Sequence, residues 1–150
     1  MKTGANGFKV IKEFEKCRLW AFKPILTDPW TIGWGHTKGV FAGDTCTQEQ
    51  ADAWLLEDIK ECEDGVNNHC KVTLTQNEFD ALISFSYNVG VYALANSTLL
   101  RLLNSEDRLG ASAQFARWNK SKGIPLEGLS RRRAVEARLF LTPDSEKFDV

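Results

Sequence analysis

The octapeptide Trp30-Thr31-Ile32-Gly33-Trp34-Gly35-His36-Thr37 constrains this chain more than any other stretch. Two glycines one residue apart, flanked by β-branched and aromatic residues, suit a short strand that lines a cleft. A bare Cα there admits close approach by a ligand or by another chain segment. Glu15 lies sixteen residues upstream of Thr31. An upstream carboxylate facing a hydroxyl on a cleft strand is a pair suited to activating water.

The setting of Glu15 sharpens that reading. Phe8, Ile11 and Glu15 fall at i, i+3 and i+7, one stripe of an N-terminal helix. Glu13 lies about 200° away around the same helix and faces water. A carboxylate on the buried side needs a partner or a function. Two readings stand side by side: an ion pair, with Arg18 or an arginine of 131–133, or a proton donor kept neutral by apolar neighbours.

Between Cys17 and Gly43, prolines 24 and 29 and glycines 33, 35, 39 and 43 break helices while Trp30, Ile32 and Trp34 alternate. This predicts an irregular sheet of two or three strands. Thr47-Gln48-Glu49-Gln50 is a capping box, and the helix it opens carries Ala51, Trp54, Leu55, Ile59 and Cys62 on one face. A second capping box, Thr75-Gln76-Asn77-Glu78, opens a helix apolar on most sides that Gly90 ends. That segment is the expected centre of a helical lobe. Shorter helices follow over 98–104 and 107–118, with Leu99, Leu102, Leu103, Leu109, Phe115 and Trp118 as core. Gly123 and Pro125 mark a loop, and Ser130 caps a last helix that stops before Pro143. The expected architecture is α+β in one domain spanning 1–150. It has a small N-terminal lobe over about 1–46, a mainly helical lobe over about 47–141, a cleft between them, and a polar tail over 142–150.

Bulk properties exclude several classes. With 19 basic and 20 acidic residues the net charge is −1, so no basic field favours nucleic acid. No apolar run approaches the roughly 18 residues of a membrane span, and the first residues lack the apolar core of a signal peptide. Cysteines 17, 46, 62 and 70 lack metal-binding spacing. No metal or organic cofactor is implied. Free thiols are expected, with Cys62 and Cys70 able to bridge only if oxidised.

Five segments in series resemble the phage-type lysozymes, the muramidases among phage endolysins. Ile11 to Phe22 resembles the family's segment in which a Glu precedes an "RLxAY" stretch. Trp30 to Thr37 resembles its "WTIGYGHT" strand, and Leu74 to Gly90 its "LTQxQFDALVSFxFNVG" helix. Ser97-Thr98-Leu99-Leu100 and Gly128 to Glu136 resemble two later signatures, and the match runs in order from residue 8 to residue 141. The resemblance implies a lysozyme-like fold and hydrolysis of the β-1,4 bond between N-acetylmuramic acid and N-acetylglucosamine in bacterial peptidoglycan. It also implies Glu15 as the general acid and Thr31 as the group that positions the attacking water. In the family an Asp or Cys helps to orient that water. This chain departs there: the corresponding counts reach Pro24 and Ile25, and the Glu-to-Thr spacing is one longer than the commonest form. Asp28 is the only acid between Glu15 and Thr31 and is the candidate replacement, with Cys17 as a nearby alternative.

His36, Trp34 and Asn88 are the candidate substrate contacts, each with a plainer reading. His36 suits a packed brace that touches Glu15 or a carboxylate of the second lobe; Trp34, like Trp30, suits core; Asn88 suits a cap. Arg131-Arg132-Arg133 reads as a solvated face with one paired arginine, or as a contact for anionic wall polymers. The leading function is a monomeric endolysin for host-cell lysis, held in the host cytoplasm until a holin releases it to the wall. The alternatives are a peptidoglycan-binding protein that has lost turnover and a lytic transglycosylase.

Overall fold

The computed structural model describes residues 1–150. Helix α1, Ala5–Glu15, begins after an extended Gly4 with no side-chain cap of its own. Its orphan donors are met from elsewhere in the chain. The Gly4 N–H donates to Asp80 Oδ1 at 2.8 Å and the Gly7 N–H to Asp80 Oδ2 at 3.1 Å. Thr3 N–H donates to Glu63 Oε2 at 2.7 Å. Burial pushes the Asp80 carboxyl above its ordinary range, and these N–H groups oppose that shift. The consequence is positional, because α1 is docked at its N-terminus and delivers Glu15 from its last turn.

Strands β1 (Arg18–Phe22) and β2 (Thr31–Gly33) pair antiparallel with a register shift between Arg18↔Gly33 and Phe22↔Thr31. Bridges Trp20↔Thr45 and Ile32↔His36 extend the sheet on either side. Helix α2 (Gln48–His69) buries Ala51, Leu55, Ile59, Cys62 and Val66 along one stripe. Its expected capping box is half formed: Thr47 accepts from the Gln50 N–H, with no reciprocal bond. The box at α3 (Gln76–Val89) is complete, and every residue from Asn77 to Ser86 is buried. This is the central helix. Around it lie α4 (Val91–Ala95), α5 (Thr98–Asn104), α6 (Arg108–Gln114), a 3-10 turn over Phe115–Arg117 and α7 (Glu127–Leu141). Twenty buried residues, drawn from α1 through Phe148, form one hydrophobic cluster. No helix is long and apolar enough to cross a membrane.

Several local expectations need correction. Helix α7 starts a turn earlier than Ser130, after Leu126, without a side-chain cap. The arginines therefore sit inside the helix rather than at its start, and Arg132 and Arg133 are buried, not solvated. Leu109 is 74% exposed because α6 turns it outward. The loop at Gly123 holds a two-residue hairpin, β3 (Lys120–Ser121) with β4 (Ile124–Pro125). The stretch 142–150 is no solvated tail. Phe148 enters the core, and the Asp144 carboxylate accepts from the Gln76 and Asn77 N–H groups, both at 2.9 Å. An apolar ring and an N-terminal helix dipole draw it back.

Candidate active site

Gly33 and Gly35 have φ of +64° and +93°, which lets β2 reverse within three residues. Ile32 and His36 then exchange N–H···O bonds, both 2.9 Å. The reversal presses the Gly35 backbone against the end of α1. A Cβ on Gly35 would lie 2.6 Å from Glu15 Oε1, so only a glycine leaves room for that carboxylate. The two glycines serve approaches by two other chain segments: Gly35 faces Glu15 at the end of α1, and Gly33 faces Ala51 on α2.

Glu15 is 18% exposed by side chain, and its Oε2 accepts from Arg132 Nη1 at 2.5 Å. The expected apolar surroundings are thus replaced by a guanidinium. Arg132 is itself buried, and a buried cation needs a carboxylate partner. Burial disfavours its charge, but Glu15 and Glu136 more than offset this and push it above its ordinary range. Glu15 thus forms the expected ion pair, with Arg132 rather than Arg18.

The hairpin is braced from two helices. Tyr87 on α3 donates its hydroxyl to the Trp34 carbonyl at 2.7 Å. Burial, with Glu15 and Asp58 nearby, pushes that phenol well above its usual range, so it stays a donor. His36 is buried, stacked on Trp54 with ring centroids 4.5 Å apart, and its Nδ1 lies 2.7 Å from Asp58 Oδ2. Trp54 and Asp58 are an i, i+4 pair on α2, which is why one helix supplies both contacts. So held, His36 is a brace against a carboxylate of the helical part. The Trp34 indole donates to Asp52 Oδ1 at 2.8 Å and packs against the core, with Lys12 over its ring.

Thr31 opens the same hairpin, and its hydroxyl donates to the Pro29 carbonyl at 3.0 Å. Asp28 is half-buried in the turn closed by its N–H to the Ile25 carbonyl at 3.0 Å. Across from that turn, Lys122 at the tip of the β3–β4 hairpin donates to Thr27 Oγ1. Asn88 does not cap its helix; the cap is Gly90, and the Asn88 Oδ1 accepts from Arg133 Nη2 at 2.8 Å. No group of three or more His, Cys, Asp or Glu is arranged to hold a metal ion. All four cysteines are free.

Residues 12–136 match the sequence profile described as phage lysozyme. The chain belongs to the phage lysozyme family. It is 44% identical over 144 residues to the endolysin of Acyrthosiphon pisum secondary endosymbiont phage 1, covering 93% of this chain and 98% of that one. It is 43% identical over 148 residues to the endolysin of Bacillus phage B103, covering 97% of this chain and 56% of that longer relative. Among solved structures, the muramidase domain of SpmX from Asticaccaulis excentricus superposes with a TM-score of 0.87 at 39% identity, covering 95% of this chain and 99% of that one. The α+β, lysozyme-like fold and the lysozyme type of glycoside hydrolase expected from the sequence follow from this membership.

Within that fold the sequence reading missed Tyr87, Asp58 and Glu136 as parts of the site. For Asp58 a signal existed, its i+4 spacing from Trp54. For Glu136 one existed too, its i+4 and i+3 spacing from Arg132 and Arg133; for Tyr87 none did, since it earns its place through a partner more than fifty residues away.

Proposed function

We propose that this chain is an endolysin that hydrolyses the β-1,4 bond between N-acetylmuramic acid and N-acetylglucosamine in peptidoglycan, with Glu15 as general acid. The observation that supports this most is the seating of Glu15: a largely shielded carboxylate packed against the Gly35 backbone of the glycine hairpin. In the reaction Glu15 gives its proton to the leaving glycosidic oxygen as the bond from C1 breaks. Water adds to C1 from the opposite face. Thr31 orients that water and Asp28 takes its proton. For inversion at C1 the two carboxylates must stand about 6.5–9.5 Å apart, leaving room for the water. Once Glu15 has lost its proton, the Arg132 guanidinium at 2.5 Å stabilises the carboxylate left behind.

Trp34 and Asn88 flank this centre as sugar contacts, and His36 holds the hairpin that carries Thr31. The protein acts as a monomer and as one domain over 1–150, and it passes from the host cytoplasm to the wall through a holin pore. Digestion of purified sacculi by wild type and Glu15→Gln, with mass spectrometry of the products, tests the proposal. Reducing-end muropeptides from wild type and none from Glu15→Gln are expected. Anhydro ends would make it a lytic transglycosylase, and binding without release a wall-binding protein.

A further inference from the structure

Glu136 is the least expected charge in the molecule. Its side chain is 0% exposed, between Arg132 and Arg133, which are also buried. Spacings of i+4 and i+3 along α7 bring both arginines onto this one carboxylate. Its Oε2 accepts from Ser84 Oγ at 2.5 Å and from Arg132 Nε at 3.2 Å. Its Oε1 lies 2.8 Å from Arg133 Nε, an ion pair too misaligned to be a hydrogen bond. Burial pushes the Glu136 carboxyl up, and burial likewise pushes the Arg133 guanidinium down. Well-packed apolar side chains would hold α3 to α7 at lower cost. Packing alone therefore does not explain the cluster.

The outlets of the cluster point to its use. Arg132 reaches Glu15 through Nη1 and the Ser84 carbonyl through Nη2 at 3.1 Å. Arg133 reaches Asn88 at the exposed end of α3. Both arginines thus run from Glu136 to the margin of the proposed active site. Two guanidiniums and one carboxylate leave a single positive charge facing Glu15; without Glu136 there would be two.

Resting on the reading of Glu15 as general acid, we infer that Glu136 is a positioning residue for the reaction: it clamps Arg132 against Glu15 and cancels one of the two buried positive charges. The other charged or titratable groups around Glu15 are Arg131 on α7, Tyr87 on α3, Asp58 on α2, His36 in the hairpin, and Lys12, Lys16 and Cys17 on its own segment. None of these forms an ion pair or hydrogen bond with the buried arginines, whose polar partners are Glu15, Ser84, Asn88 and Glu136.

The test is Glu136→Gln, which keeps shape and removes charge, assayed on sacculi across pH. A second uncompensated cation favours the ionised form of the acid, so the alkaline limb of kcat moves to lower pH by about one unit. A loosened Arg132 lowers the maximal kcat about tenfold or more, with KM little changed. The double variant Glu136→Gln/Arg133→Met restores a single positive charge and returns the limb to its wild-type position. It also decides the matter if Glu136→Gln alone does not fold: a limb still displaced in the double variant overturns the inference. So does a folded Glu136→Gln with an unmoved limb. Glu15→Gln run alongside separates the two ideas. Retained activity there defeats the general-acid reading; lost activity there with an unmoved limb in Glu136→Gln defeats only the role of Glu136.

Discussion

Gly35→Ala isolates the contact on which the site depends. The new methyl would stand 2.6 Å from Glu15 Oε1, short of ordinary contact at 3.4 Å by about 0.8 Å. Oε2 is already held at 2.5 Å by Arg132, so the carboxylate moves only by giving up that pair. Tyr87 Cε2, 3.6 Å from the same methyl, crowds another side. Displacing a reacting group by close to an ångström costs about a hundredfold in rate. The backbone adds a separate penalty, since φ of +93° at an alanine costs about 1–2 kcal/mol of stability. Gly43→Ala separates the two effects. Its φ is +85°, and nothing lies within 4 Å of its would-be Cβ, so it carries the strain without the clash. The assay is the initial rate of sacculus solubilisation per folded molecule, with thermal melts to measure the folded fraction. Gly35→Ala should fall about a hundredfold while Gly43→Ala keeps wild-type activity at a comparable loss of stability. Equal specific activities for the two variants would refute the argument.

Asp28→Ala should lower kcat by about a hundredfold or more with KM little changed, the scale of removing a general base; near wild-type solubilisation would remove Asp28 from the mechanism. Phe148→Ala should cost about 3–4 kcal/mol by chemical denaturation while leaving activity per folded molecule intact. A loss below about 1 kcal/mol would return 142–150 to the status of a solvated tail. Burial lifts the Cys62 thiol from 9.0 to about 11. Between those values the unfolded chain releases this proton and the folded protein keeps it, so stability falls as pH rises through the window, by at most about 3 kcal/mol. Melting curves against pH should show this slope in wild type and lose it in Cys62→Ala; an identical slope in both would contradict the assignment.

What could be read in advance was local. The stripe on α2, the full capping box at Thr75 and the apolar run of α3 are written in spacings of three and four residues, the distances at which side chains on one helix meet. Glycines 33 and 35 marked a close approach, but the octapeptide read as one strand, and the structure ends that strand at Gly33 and reverses the chain through the positive φ of both glycines. Where local rules misled, a distant partner had intervened. Ser130 makes a good cap in isolation, yet α7 begins earlier. Phe148 follows a polar stretch, yet its ring packs into the core and the Gln76 and Asn77 N–H groups bind Asp144, which together bring that stretch back.

The sequence by itself determined the family and most of the helices and singled out Glu15 as the candidate acid, since these depend on residue type and short spacing. Only the tertiary structure decided what the acid meets. Glu15 and Arg132 are 117 residues apart, and Glu136 reaches Glu15 only through that arginine. The stripe of α1 shows that Glu15 needs a partner, but nothing local chooses Arg132 among the cationic candidates until α1 and α7 close on α3. Desolvation then makes the pairing obligatory: once Arg132 is buried, its charge must find a carboxylate, and the fold offers Glu136 behind it and Glu15 in front.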